Sequence, residues 1–140
     1  MRNLQTLQRM HRWRLDEQRR KLAELERLKA DIDTRIGLLA KEMGSEQQAA
    51  GESVAGQRAF PAYVNAALQR QRNLGQSQAE IIAAIAAARE ELGSVFREAK
   101  KYDVWLENRA KRERTAIARK LRAELDEIGV ERFRQRGRAG

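Results

Sequence analysis

The chain contains no cysteine. That excludes disulfide cross-links, thiolate nucleophiles and cysteine-ligated metals. Aromatic residues make up only 5% and there is a single proline, Pro61, in 140 residues. Bulky side chains that would fill a multilayer globular core are therefore scarce. The longest apolar run, Ile81–Ala88, falls far short of the ~20 residues a membrane span requires. The opening stretch MRNLQTLQRMHRWRLDEQRR is charged throughout and lacks the apolar centre of a secretory signal. These absences predict a soluble, cytoplasmic protein.

The parts of an enzyme are missing too. His11 is the only histidine, and no glycine-rich loop with its lysine could cradle a phosphate. Paired carboxylates such as Asp31 and Asp33, or Glu90 and Glu91, read as exposed helical faces without a pocket to shift their pKa values or a converging third ligand for a metal. The expectation is a non-catalytic protein with no cofactor, no metal and no small-molecule substrate.

What the chain does have is charge, at 35% of residues, and an abundance of Ala, Leu, Glu, Arg, Lys and Gln. These residues lose little rotamer entropy in a helix. They also fall in a pattern. His11, Leu15, Gln18, Leu22, Leu25, Lys29, Ile32, Ile36, Leu39 and Met43 follow alternating steps of four and three, and seven of the ten are apolar. Phe60, Val64, Ala67, Gln71, Leu74, Gln78, Ile81, Ile85, Ala88, Leu92, Val95, Ala99, Tyr102 and Leu106 do the same, with twelve of fourteen apolar. A 3.5-residue repeat keeps one narrow stripe on one side of a helix, which is the seam of a coiled coil.

Between the two stripes lies Gly44–Gly56, with three of the nine glycines, and Pro61 follows closely. Glycine weakens helices, and proline is tolerated in a first turn, so Pro61 reads as the start of the second helix. Two helices that cannot bury a seam alone fold back on each other. The predicted fold is therefore all-α: a long antiparallel two-helix coiled-coil hairpin, with the C-terminal helix overhanging the N-terminal one. It forms one domain over 1–140, with helix one over about 2–50, the turn within about 44–60, helix two over about 61–128 and a basic tail over 129–140. With the reversal near Glu52, Leu4 is expected opposite Lys100, and helix one is expected to run out near Asp103. Gly129 reads as a C-cap.

The net charge of +9 is unevenly placed. Residues 1–21 carry seven bases against Asp16 and Glu17, and residues 97–122 carry ten bases against four acids. The hairpin brings these segments and the tail to the end opposite the turn, which attracts acidic partners. Arg109, Lys111, Arg112 and Arg114 form the densest run and are candidate partner-binding residues. The bland reading of such a run is a solvated helix face. Trp13 and Trp105 lie off the seam at the same end and are candidate interface anchors, unless each ring merely covers the flank of the helix pair. Aromatics are too sparse among the bases for base stacking, and no nucleic-acid motif is present, so nucleic acid is not the expected partner.

The layout resembles the flagellar FliJ family. The likeness rests on an amphipathic helix beginning near Met1, a glycine-interrupted midpoint, Ala88-Arg89-Glu90-Glu91-Leu92, the run from Phe96 to Asp103, the run from Glu107 to Arg114, and Glu124–Ile128. The resemblance implies a component of the flagellar type III export apparatus, similar to the rotor shaft of rotary ATPases. It implies three partners: the export ATPase hexamer, the cytoplasmic region of the export gate membrane protein, and export chaperones. It also implies peripheral association with the export apparatus at the inner membrane. Tyrosines common late in that family's first helix are absent from Ile36–Gly44, so no gate-contacting residues are carried over. The readings left beside this one are the equivalent stalk of an injectisome, a basic coiled-coil factor associated with nucleic acid or ribosomes, and a structural scaffold.

Overall fold

A computed structural model describes residues 2–139, and the expected domain's end residues, Met1 and Gly140, lie outside them. The described chain is two α-helices, α1 (Arg2–Ala50) and α2 (Val54–Ala139), packed as a hairpin. The seam read from the repeat is the buried face. All ten of its positions in α1 are at least partly covered, as are thirteen of the fourteen in α2; Gln71 alone is exposed. His11, Leu15, Leu39, Ile85, Val95 and three alanines, Ala67, Ala88 and Ala99, are the most deeply covered of them. No large side chain is fully buried among the described residues. Alanine at recurrent seam positions makes a narrow interface, in which helicity depends on a thin stripe of contacts.

The turn differs from expectation. Among the described residues only Gly51, Glu52 and Ser53 lie outside the helices, so α2 begins at Val54 rather than Pro61, and the helices run through Gly44, Gly56 and Pro61. The last turn of α1 tightens with bonds from Gly51 N–H to the Gln48 carbonyl (3.2 Å) and from Glu52 N–H to the Ala49 carbonyl (3.1 Å). Ser53 then caps α2: its Oγ accepts the Gly56 N–H at 2.9 Å, and its carbonyl accepts the Gln57 N–H at 3.1 Å. A serine placed three residues before the bonded N–H satisfies one of the donors a helix start leaves open. At Gly56 the start of α2 lies against the end of α1. A Cβ built there would lie 2.9 Å from Ser53 Oγ and 3.1 Å from Ala50 Cα. Pro61 is exposed, while Phe60 and Tyr63 beside it stack at 6.3 Å on the covered side. The packed face therefore carries the helix past the missing donor.

Gly129 is not a cap either. No described glycine has a positive φ, and α2 continues through the expected basic tail to Ala139.

Contacts group the chain into two units: residues 13–96, and residues 1–12 with 97–140. In the first unit, cross-helix pairs join Glu42 to Arg70 at 3.8 Å, Asp33 to Gln78 at 2.7 Å and Glu26 to Arg89 at 3.4 Å. Asp33 is thus not an exposed-face carboxylate. It takes a hydrogen bond from Lys29 Nζ (2.8 Å) and one from Gln78 Nε2, so it satisfies two of the polar residues that interrupt the seam. The Lys29 bond, joined by Gln78, holds its carboxyl below the usual range against the opposing effect of burial.

In the second unit the register departs from expectation. Asp103 was expected opposite the start of helix one, but it accepts hydrogen bonds from Gln8 Nε2 (2.5 Å) and Arg12 Nη2 (3.3 Å), about two helical turns further along α1. Side chains lean toward the N-terminus of their own helix. In antiparallel helices the two leans are opposed, so side chains that meet sit further along their helices than the backbone midpoint suggests.

Candidate partner-binding surface

The surface is built on α2 where the seam closes. His11 is buried, stacks on Tyr102 with ring centres 4.5 Å apart, and has an Nδ1 with no hydrogen-bond partner. Tyr102 in turn meets Trp105 edge-on at 5.2 Å. The three rings close the seam, and Asp103 ties Gln8 and Arg12 beside them. The composition of these residues signals none of this. It follows from Asp103 standing one residue past seam position Tyr102, on the flank where α1 passes.

Trp105 is 51% exposed. Part of its ring is used on Tyr102, and about half of the residue remains open to solvent. Trp13 is 63% exposed and falls in the other unit, residues 13–96. Of the six candidate residues, Trp105, Arg109, Lys111, Arg112 and Arg114 belong to one stretch of α2, and Trp13 belongs to α1.

The four bases are not equivalent. Arg109, with its side chain 29% exposed, lies partly against the helix pair, and its Nε sits 3.5 Å from Glu113. Lys111 is 3.8 Å from Glu107, with both side chains open to water. Arg112 and Arg114 are exposed and make no ion pair among the described residues. At about 100° per residue the four point in different directions around the helix, forming a collar rather than a patch. From Ala110 to Arg138 every residue is exposed, so nothing sheathes the helix from the collar onward.

Among the described residues no group of acidic or histidine side chains could hold a metal ion, and no helix is long and apolar enough to cross a membrane. The surface offers bases, exposed aromatic side chains and an open helix.

No curated protein and no solved structure matches the chain significantly. A match to the family described as flagellar FliJ protein runs over residues 1–138. It spans the hairpin, its three-residue turn, the aromatic closure of the seam and the collar alike, and with it the chain belongs to the FliJ family of flagellar proteins.

Proposed function

We propose that this chain, a flagellar export component by family, acts as a shaft-like adaptor. It couples the export ATPase hexamer to the cytoplasmic region of the membrane export gate and engages export chaperones. The observation that supports this reading is the collar: Arg109, Lys111, Arg112 and Arg114 face all sides of a single unsheathed helix. A partner that touches one face needs its charge on that face, whereas a partner that encircles the helix needs charge all round. A bare α-helix about 10–12 Å across suits the opening of a ring.

Exposed bases of this kind add little to folding and act mainly on encounter rates. Replacing the four with glutamine is expected to leave the thermal midpoint nearly unchanged and to slow association with the ATPase hexamer. Arg112 and Arg114, which make no ion pair among the described residues, carry more of the effect than Arg109. Wild-type association slows as salt shortens the Debye length from ~10 Å at 0.1 M. Stopped-flow association against salt tests this. An unchanged rate in the quadruple variant removes the collar from the reading, and equally tight salt-dependent binding to RNA without the ATPase favours a nucleic-acid role instead.

A further inference from the structure

Beyond the collar, α2 carries an apolar stripe that nothing covers. Ile117, Leu121, Leu125 and Ile128 are 67%, 56%, 59% and 51% exposed. Steps of four, four and three keep them on one face of a 3.6-residue helix. The same steps lead back through Arg114 and Ala110 to Leu106, so the stripe prolongs the seam face after α1 has left it. A helix exposing such a stripe along its whole length is marginal in water until the stripe is packed.

The charges beside the stripe identify what packs there. Beside the stripe, at seven-residue intervals, stand Glu113, Lys120, Glu127 and Arg134, alternating acid, base, acid, base; on a helix wound to 3.5 residues per turn, as in a coiled coil, they fall along one flank. All four are exposed. Glu113 is shared with Arg109, and the other three make no ion pair among the described residues. Heptad-spaced flanking charges set partner choice and orientation in coiled coils. When a second copy of the same helix is laid antiparallel with Lys120 against Glu127, Glu113 falls against Arg134, and the symmetry repeats both pairs. The stripe is carried into register by the same operation: Ile117 meets the Ile128 layer, and Leu121 lies beside Leu125. The complementary partner is written in the chain's own sequence.

We propose that residues 113–134 of α2 form an antiparallel two-fold contact with the same residues of a second copy of this chain. The contact is isologous and overlaps the basic collar only at Arg114. It buries four large apolar side chains per copy, fewer than a permanent dimer uses, so association is weak, concentration-dependent and weakened by salt.

Sedimentation equilibrium of the full chain over a concentration series tests this with charge variants. K120E/R134E makes the flank wholly acidic, and E113K/E127K makes it wholly basic; each alone is expected to self-associate at least tenfold more weakly than wild type. An equimolar mixture of the two is expected to recover association. The complete exchange E113K/K120E/E127K/R134E, which reverses every sign and keeps every pair, is expected to self-associate like wild type. Recovery in the mixture and in the exchanged chain also shows that the variants fold. A wild-type chain that stays monomeric throughout the series overturns the proposal and leaves the stripe to a different protein. Single-sign variants that associate as well as wild type, or an exchanged chain that does not associate, overturn it equally.

Discussion

Glycine-to-alanine replacement is expected to have opposite signs at different points of this hairpin, and Gly56 shows why. At Gly37, Gly44 and Gly75 a new Cβ would meet nothing within 4 Å. Alanine there gains helix propensity, about 0.8–1 kcal/mol per site. At Gly56 the same gain is offered, but the Cβ would stand 2.9 Å from Ser53 Oγ, 3.1 Å from Ala50 Cα and 3.3 Å from the Ala50 carbonyl oxygen. Two of those atoms are backbone and cannot rotate away. The third is the capping oxygen that accepts the Gly56 N–H. Displacing the cap costs about 1 kcal/mol, and forcing the helices apart at an overpacked point costs about 1–3 kcal/mol. After the propensity gain, Gly56→Ala is expected to destabilise by roughly 1–3 kcal/mol. Urea denaturation followed by circular dichroism, with the four alanine variants in parallel, measures the contrast. In a Ser53→Ala background the nearest obstacle is gone, so Gly56→Ala costs less there, a non-additivity expected only of touching residues. A Gly56→Ala chain as stable as the Gly37→Ala chain would refute the close approach at the turn.

Asp33 gives a pH signature. Its folded-state pKa lies below the ordinary 3.8, so its contribution is present above that value and is lost as pH falls through the folded pKa. Asp33→Asn should therefore lower the urea midpoint at neutral pH and lose that deficit progressively as pH falls below 3.8 and through the folded pKa, and a deficit that does not shrink with acid would rule this account out. Trp105→Ala removes the edge-on contact with Tyr102, worth about 0.5–1.5 kcal/mol beyond area burial. Trp13→Ala should leave the thermal midpoint unchanged, and a larger loss from Trp13 would reverse the assignment.

The fold was legible because a coiled-coil seam is written in spacing alone. Positions from His11 to Met43 and from Phe60 to Leu106 required only the 3.5-residue period. The turn was not legible, because breakers were weighed by propensity. Gly44, Gly56 and Pro61 all disfavour helix locally, yet each lies within one. The seam packing on both sides of them outweighs the local preference. Ser53 held the decisive signal, an N-cap side chain, and it was hidden among residues that all looked like loop. Asp33 was misread as a solvated face because a residue one step off the seam can still reach across it. The stretch holding the candidate bases was found from charge density. Which of them are free was not, since that depends on whether Glu107 and Glu113 lie within reach.

Three glutamines sit on the seam positions, and the structure gives each a different fate. Gln71 is exposed, Gln18 has a buried Oε1 with no hydrogen-bond partner, and Gln78 donates to Asp33 across the helix pair at 2.7 Å. A coiled coil read from heptads alone treats the three alike, as polar residues that lower stability and fix register. Atomic contacts separate them. Replacing Gln18 with leucine removes an unsatisfied buried acceptor, worth about 1–3 kcal/mol, and adds apolar surface to the stripe, so it is expected to stabilise. Replacing Gln71 is expected to change little, because the side chain remains in water. Replacing Gln78 strips Asp33 of its cross-helix donor and leaves a half-buried carboxylate on Lys29 alone. The apolar gain is then offset by the stranded acceptor, and the net effect is expected to be destabilising. Urea midpoints of the three leucine variants give the order Gln18 above Gln71 above Gln78. If all three leucines stabilise by similar amounts, the seam responds to hydrophobicity alone, and the Lys29–Asp33–Gln78 cluster has no part in holding the helices in register.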